Sequence, residues 1–371
     1  MALAASPGQA DAVLSVANAM MATARPTPAW AVQGVLLSPD LLSQTFKHLD
    51  LGSFAAASVC SEWRRQWKSM LVEKRILMKV VQTLPMSRPM NAPVRMAVLP
   101  DGHVCVTLQN KVDYGAGEVA VFECNDGVIG QKVNKCTVPF PYGVAVLDGA
   151  VYMSNPDPQF VARCHFQDGQ LTVASQRDVD FCPLTMVAKD DLLYVIAEFD
   201  VQGEDEDEDA WTITQIVSLD RDLNEVARFP LPDRIFDLKD DGHGARQGLA
   251  SHGAHLFVVS TSCSQIFVFS TAGQLVKTIA GDFGCPSAIS IFDDRIYLLS
   301  CRPDTDDDDA DYLSEVHVLS IEGCPTQPPL RLPILLRRKG QHEQMEIFAT
   351  KERVYVSDWE GKRLFAIAFA T

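Results

Sequence analysis

The chain has 371 residues, 47% of them apolar and 22% charged, a length and composition that suit a small module followed by one larger repeat domain. No apolar run reaches the ~18 residues needed to cross a bilayer, so no membrane span is expected. A formal net charge of −16 sets the chain against a phosphate backbone, so nucleic acid is not an expected partner.

Residues 1–34 are rich in Ala and lack the basic start and compact apolar stretch of a secretory signal. They read as a flexible tail, with a transit peptide the alternative because Arg25 stands among few acidic residues. Ten cysteines follow without a C-x-x-C pair or a Cys/His knuckle, which points away from a zinc site and from a disulfide-stapled domain. Most lie in or beside apolar runs, as small buried hydrophobes do in a reducing compartment. A cytoplasmic or nuclear location, or both, is therefore expected.

Residues 35–77 read as three short helices. Ser38 can cap the first, Pro39 suits its first turn and Asp40 complements the positive end of its dipole. Leu41, Leu42, Thr45, Phe46 and Leu49 then recur at helical spacing. Asp50-Leu51-Gly52-Ser53 breaks the pattern, Ser53 can cap a second helix over 54–59, and a third runs through Ser61–Trp67. A module this small covers its own apolar residues poorly and gains from a partner. Between 35 and 79 there are seven Lys and Arg against four acids, so this basic stretch of an acidic chain suits an acidic partner.

The ordered residues Leu37, Asp40-Leu41-Leu42, Phe46, Leu49-Asp50, Val59-Cys60 and Trp63-Arg64 resemble the F-box motif. Three departures stand out. Pro39 lies one place later than the family proline, Thr45 replaces an Ile, and Glu62 stands where a basic residue is common. The resemblance implies docking to a Skp-type adaptor and through it to a cullin-based ubiquitin ligase. The adaptor surface and its support would be Leu37, Pro39, Leu41, Leu42, Phe46, Leu49, Leu51, Val59, Cys60, Trp63 and Arg64. The alternative is a helical cap over the following domain.

From residue 78 onward an apolar run, an Asp/Gly turn and a second β-rich run recur six times, most often about forty to fifty residues apart and at two places about sixty. The copies start at Met96, Val144, Met186, Leu249, Ile289 and Ile347, and most continue into a third strand and a reversing turn. Four strands at this period predict a mainly β fold, a six-bladed β-propeller over 78–371 preceded by the small three-helix module. The repeats resemble the NHL or YWTD type, since Gly-His and Trp-Asp dipeptides are missing. The sixth copy supplies three strands, so 78–84 is expected to add its outermost strand and leave no open edge.

A metal-assisted propeller enzyme needs ligands converging on the axis from the innermost strands. Those strands are read as starting at Pro141-Tyr142-Gly143, Cys182-Pro183, Gln247-Gly248, Cys285-Pro286 and Glu343-Gln344, with one acid among them. No catalytic triad, phosphate loop or HExxH helix appears, so no metal, cofactor or enzymatic activity is expected. Cys182 and Cys285 occupy matching positions, which repeat geometry explains. Asp358-Trp359-Glu360 reads as a blade turn.

Two acidic runs, 204–209 and 304–311, hold twelve acidic side chains together. They read as solvated loops, with calcium binding a weaker option because the EF-hand glycine and terminal Glu are missing. Both fall between second and third strands and so share one face. Glu204, Asp205, Glu206, Asp207, Asp306, Asp307 and Asp308 are the candidate surface for a basic target protein.

The sequence thus reads as the substrate-receptor subunit of an F-box ubiquitin ligase. The alternatives are a propeller hydrolase or lactonase with an incidental cap, and an F-box scaffold without ubiquitin transfer.

Overall fold

Period-two burial on both sides shapes every blade. In Val104–Asn110 the side chains of Val104, Val106 and Leu108 pack to one side and Cys105 to the other, and all four are at most 2% exposed. A strand apolar on both faces must be sandwiched between sheets. The computed structural model describes residues 78–85, 91–110, 116–201, 211–232, 248–261, 263–303, 312–327, 329–336, 345–358 and 362–369. The F-box-like segment and both acidic runs lie outside them.

Six antiparallel four-stranded sheets form the ring, each ordered from the axis outward. Blade one holds β2 (Asn91–Val98), β3 (Val104–Asn110), β4 (Gly117–Asn125) and β5 (Val128–Val138). Blade two holds β6 (Val144–Leu147), β7 (Ala150–Pro156), β8 (Gln159–Gln167) and β9 (Gln170–Asp178). Blade three holds β10 (Cys182–Lys189), β11 (Leu192–Val201), β12 (Trp211–Leu219) and β13 (Glu225–Pro230). Blade four holds β14 (Leu249–His252), β15 (His255–Ser260), β16 (Gln265–Ser270) and β17 (Leu275–Ala280). Blade five holds β18 (Cys285–Phe292), β19 (Arg295–Pro303), β20 (Tyr312–Ser320) and β21 (Leu330–Leu336).

Blade six closes the ring. Its inner strands are β22 (Ile347–Ala349), β23 (Arg353–Asp358) and β24 (Arg363–Phe369), and its outer strand is β1 (Met78–Pro85). β1 runs antiparallel to β24 from Met78 opposite Phe369 to Pro85 opposite Arg363, with a bulge between Val80 and Gln82. The bulge leaves Val81 without a Cα partner in β24. Gln82 reaches across the seam. Its Nε2 donates to Ile129 O at 2.6 Å and its Oε1 accepts from Ile129 N at 3.0 Å, which ties β1 to β5 of blade one.

Six apolar clusters fill the six blade interfaces. One joins blades six and one through Val104, Val106, Tyr355 and Leu364, and another joins blades four and five through Phe257, Ile266, Ile289 and Leu298. No blade could bury these faces alone, which is why the ring folds as a unit. The outermost strands are wet, and the exposed Val133, Val173, Val226 and Val276 all lie there. The Asp-Gly turns work as read from the sequence. Asp148 (φ 50°) and Gly149 (φ 77°) both take the left-handed region that a two-residue hairpin between β6 and β7 requires.

Within a blade, the first strand begins on the face where the second strand ends. We call this the upper face, and the face carrying the first hairpin turns the lower face. The pairs Val201–Trp211 and Pro303–Tyr312 end their ladders at the upper face.

Candidate functional site: the axial cavity

The innermost strands β2, β6, β10, β14, β18 and β22 enclose a cavity of about 240 Å³ on the ring axis. Register aligns one position in all six: Arg95, Gly143, Thr185, Gly248, Ala288 and Glu346 each precede the first apolar residue of a repeat. Four of these are small or neutral because the inner strands crowd together there. A Cβ on Gly143 would meet Leu184 O at 2.4 Å, and one on Gly248 would meet Ile289 N at 2.8 Å. The other two carry charge. The sixth inner strand thus presents Glu346 rather than the expected Glu343-Gln344, and Arg95 supplies the first-blade residue that the sequence reading left out.

Arg95 is 2% exposed and links four blades. Its Nη1 lies 2.9 Å from Glu346 Oε2 and donates to Met345 O at 3.2 Å. Its Nη2 donates to Thr185 Oγ1 at 3.0 Å and to Tyr142 Oη at 3.4 Å, and the guanidinium carbon sits 5.1 Å from the Tyr142 ring centre. Nε is buried with no hydrogen-bond partner among the described residues. Burial pushes the Glu346 carboxyl above the usual carboxylate range, against the pull of Arg95 and of the Ile347 amide.

Hydroxyl clips hold this level of the ring in blades six, one and two. Thr107 Oγ1 accepts from Arg95 N at 3.0 Å and donates to Tyr142 O in the next blade at 2.8 Å. Ser154 repeats this, accepting from Gly143 N at 2.7 Å and donating to Leu184 O at 2.6 Å. Ser357 accepts from Glu346 N at 2.7 Å and reaches Val94 O at 3.5 Å. In blades three, four and five the equivalent residues are the apolar Ile196, Val259 and Leu299. Two of the clips therefore hold the backbone of Arg95 and of Glu346, and the third holds Gly143 in the next blade.

From this polar floor the walls turn apolar toward the lower face. Met96, Val144, Met186, Leu249, Ile289 and Ile347 form the next level, all buried. Two residues further, Val98, Val146, Ala188, Ser251 and Ile291 are half-buried, so the cavity opens at the lower face.

The other expected residues fall elsewhere. Cys182 and Cys285 open β10 and β18 at matching places, and Cys285 stands opposite Cys301 in the ladder. Cys105 and Cys164 are buried thiols whose ionisation burial opposes, Cys164 being pushed up to about 12. Asp358 is 1% exposed and accepts from Arg363 Nε at 3.0 Å and Nη2 at 2.7 Å, a brace for its turn. Among the described residues no three His, Cys, Asp or Glu side chains gather as metal ligands would. The adaptor-docking residues of 37–64 and the acidic target-face residues lie outside the described residues.

No family model matches the chain, and no curated protein matches its sequence. Solved structures similar to it include virginiamycin B lyase from Staphylococcus aureus, at 12% identity and a TM-score of 0.46 over 78% of this chain and 99% of that one. The WD40 β-propeller domain of Doa1 aligns at 12% identity and a TM-score of 0.44, covering 78% and 97%. A nidogen/laminin complex aligns at 12% identity and a TM-score of 0.45, covering 78% and 90%. What the ring itself establishes is a mainly β, six-bladed propeller with repeated blades.

Proposed function

We propose that this protein is the substrate receptor of a cullin-type ubiquitin ligase, in which the segment 35–77 docks a Skp-type adaptor and the propeller binds a target protein. The observation that carries the reading is the ordered set Leu37, Leu41-Leu42, Phe46, Leu49-Asp50, Val59-Cys60 and Trp63-Arg64, which matches the order and spacing of the F-box motif. Such a receptor does no chemistry of its own. It works by proximity, holding a target lysine near the transferring enzyme. A closed ring with six packed interfaces is a stiff platform for that task.

Co-purification with a recombinant Skp-type adaptor tests the reading. The full chain is expected to retain the adaptor, and a Leu41→Ala/Leu42→Ala chain to lose it with its melting temperature unchanged. Failure of the unmodified chain to bind, or equal binding by both, overturns the proposal. The acidic runs 204–209 and 304–311 are the proposed contact for a basic target, since each gathers six acidic side chains and the strand ends that flank both lie at the upper face. Neutralising them to Asn and Gln is expected to weaken target capture and its salt sensitivity, with adaptor binding intact.

A further inference from the structure

The Arg95–Glu346 pair is costly to keep. Two charges moved from water to a protein interior lose several kcal/mol of hydration each, and apolar replacements of buried ion pairs are often neutral or stabilising. The four other residues at this level show that the ring tolerates small or neutral side chains there. Packing alone does not call for a carboxylate on the axis.

Hydrogen-bond capacity shows what the pair leaves available. The terminal nitrogens of Arg95 already donate to Glu346, Met345, Thr185 and Tyr142, and its Nε is sealed from solvent. Glu346 is different. Its Oε1 accepts from Ile347 N at 3.0 Å and its Oε2 faces Arg95, whereas a carboxylate has roughly four acceptor sites. Its side chain is 10% exposed and lines the cavity. Beside it, the Thr185 hydroxyl accepts from Arg95 and keeps its own proton to donate. The floor thus offers an acceptor and a hydroxyl, under apolar walls open at the lower face.

We propose that the axial cavity binds a small neutral molecule with an apolar body and one hydroxyl group, the hydroxyl seated against Glu346 and Thr185. The volume, about 240 Å³, lies below the ~300–1,000 Å³ of pockets for drug-sized ligands, which limits the guest to a compact molecule. Arg95 already balances the charge of Glu346, so a charged guest would be buried without a counter-ion. The site opens at the lower face and does not depend on the adaptor-docking proposal.

Methyl-labelled methionine on the full chain provides the readout, since Met96 and Met186 both line the cavity. Cyclohexanol and its methyl ether are the probes. Cyclohexanol is expected to shift both methyl signals saturably. The ether, which cannot donate, is expected to bind about tenfold more weakly or worse, the effect of one hydrogen bond to a charged group. Ala188→Leu and, separately, Ser251→Leu narrow the half-buried mouth and are expected to abolish the shifts in chains that remain folded. The ratio between alcohol and ether needs no variant, so the test stands even where a variant unfolds. Absence of a saturable shift on the unmodified chain, equal affinity for both probes, or binding retained by folded variants overturns the proposal.

Discussion

Arg95 and Glu346 stand 2.9 Å apart across the seam where the first and last blades meet, so the ring is latched at its axis as well as at its rim. At the rim β1 pairs with β24. At the axis one guanidinium reaches blades two, three and six from blade one. Removing either partner strands a buried charge, and Glu346→Ala is expected to cost about 3–5 kcal/mol. The double change Arg95→Met/Glu346→Leu is expected to recover most of that loss. Urea unfolding of the three chains checks it, and a double variant as unstable as the single one would show that the loss comes from packing rather than from charge.

Closure at the rim makes a second, sharper expectation. Pro removes an amide donor, and strands tolerate it best at bulges. Val81 is the bulge residue of β1, so Val81→Pro is expected to leave the melting temperature nearly unchanged. Gln82 and Thr83 lie beyond the bulge opposite Ala366 and Phe365, and their amides alternate between β24 and the outer edge. Pro at one of these two is expected to lower the melting temperature steeply. Gln82→Ala leaves the strand intact but strips Ile129 N of its partner, for an expected loss of about 1–3 kcal/mol. Thermal melts of these four variants form one series.

The ring was legible in the sequence because its determinants are local and repeated. Asp148-Gly149 between Val144–Leu147 and Ala150–Pro156 states a hairpin outright, and six recurrences of one strand pattern state a ring. The axial site was not read, for a different reason. Arg95 and Glu346 meet only because the first and last blades are neighbours, and each looks like an ordinary charge beside a strand. Their signal was positional: each immediately precedes the first apolar residue of its repeat, where Gly143 and Gly248 stand in blades two and four. Strand entries at Cys182, Cys285 and Glu343 each stop short of that position by three residues, so the match stays out of sight. The clips Thr107, Ser154 and Ser357 were equally hidden, because Ser and Thr at a strand end look like solvent-facing residues until the next blade is in place.

Crowding at the axis predicts an intolerance unrelated to backbone freedom. Gly143 and Gly248 carry no positive φ, so an added methyl is resisted by the next blade rather than by strain within the residue. Leu184 O and Ile289 N are main-chain atoms and cannot swing aside. Gly143→Ala and Gly248→Ala are each expected to cost about 1–3 kcal/mol, as over-packing does. Gly130→Ala is the control. Gly130 also lacks a positive φ, but its nearest neighbour is the Glu123 Cβ at 3.3 Å, and the expected loss is smaller. Chemical denaturation of the three variants tests the order.

Acid sensitivity should trace in part to His317. It lies on β20, 7% exposed, with its Nε2 making no hydrogen bond among the described residues and the Phe283 ring edge-on at 5.8 Å. Glu315 Oε2 is 3.7 Å away, and Arg302 and Arg331 crowd the same carboxylate while Arg302 also binds Asp282. Burial holds the imidazole below its ordinary range, Arg302 acts in the same direction, and Glu315 and Asp282 oppose them without prevailing. A histidine depressed in the folded state takes up its proton more readily when unfolded. Its contribution to stability is therefore complete above the unfolded value, about 6.5, and is lost as pH falls through that value toward the folded one. Glu118 acts in the same direction at lower pH. Burial opposes its charge, but Lys132 at 2.7 Å and Lys135 at 2.8 Å overcome it and hold it below the carboxylate range, so its share is lost only once it protonates. Between pH 7.5 and 5.5 the unmodified chain is thus expected to lose more stability than a His317→Gln chain, and the two urea midpoints should converge as pH falls. Parallel midpoints across that window would place the acid response on other groups.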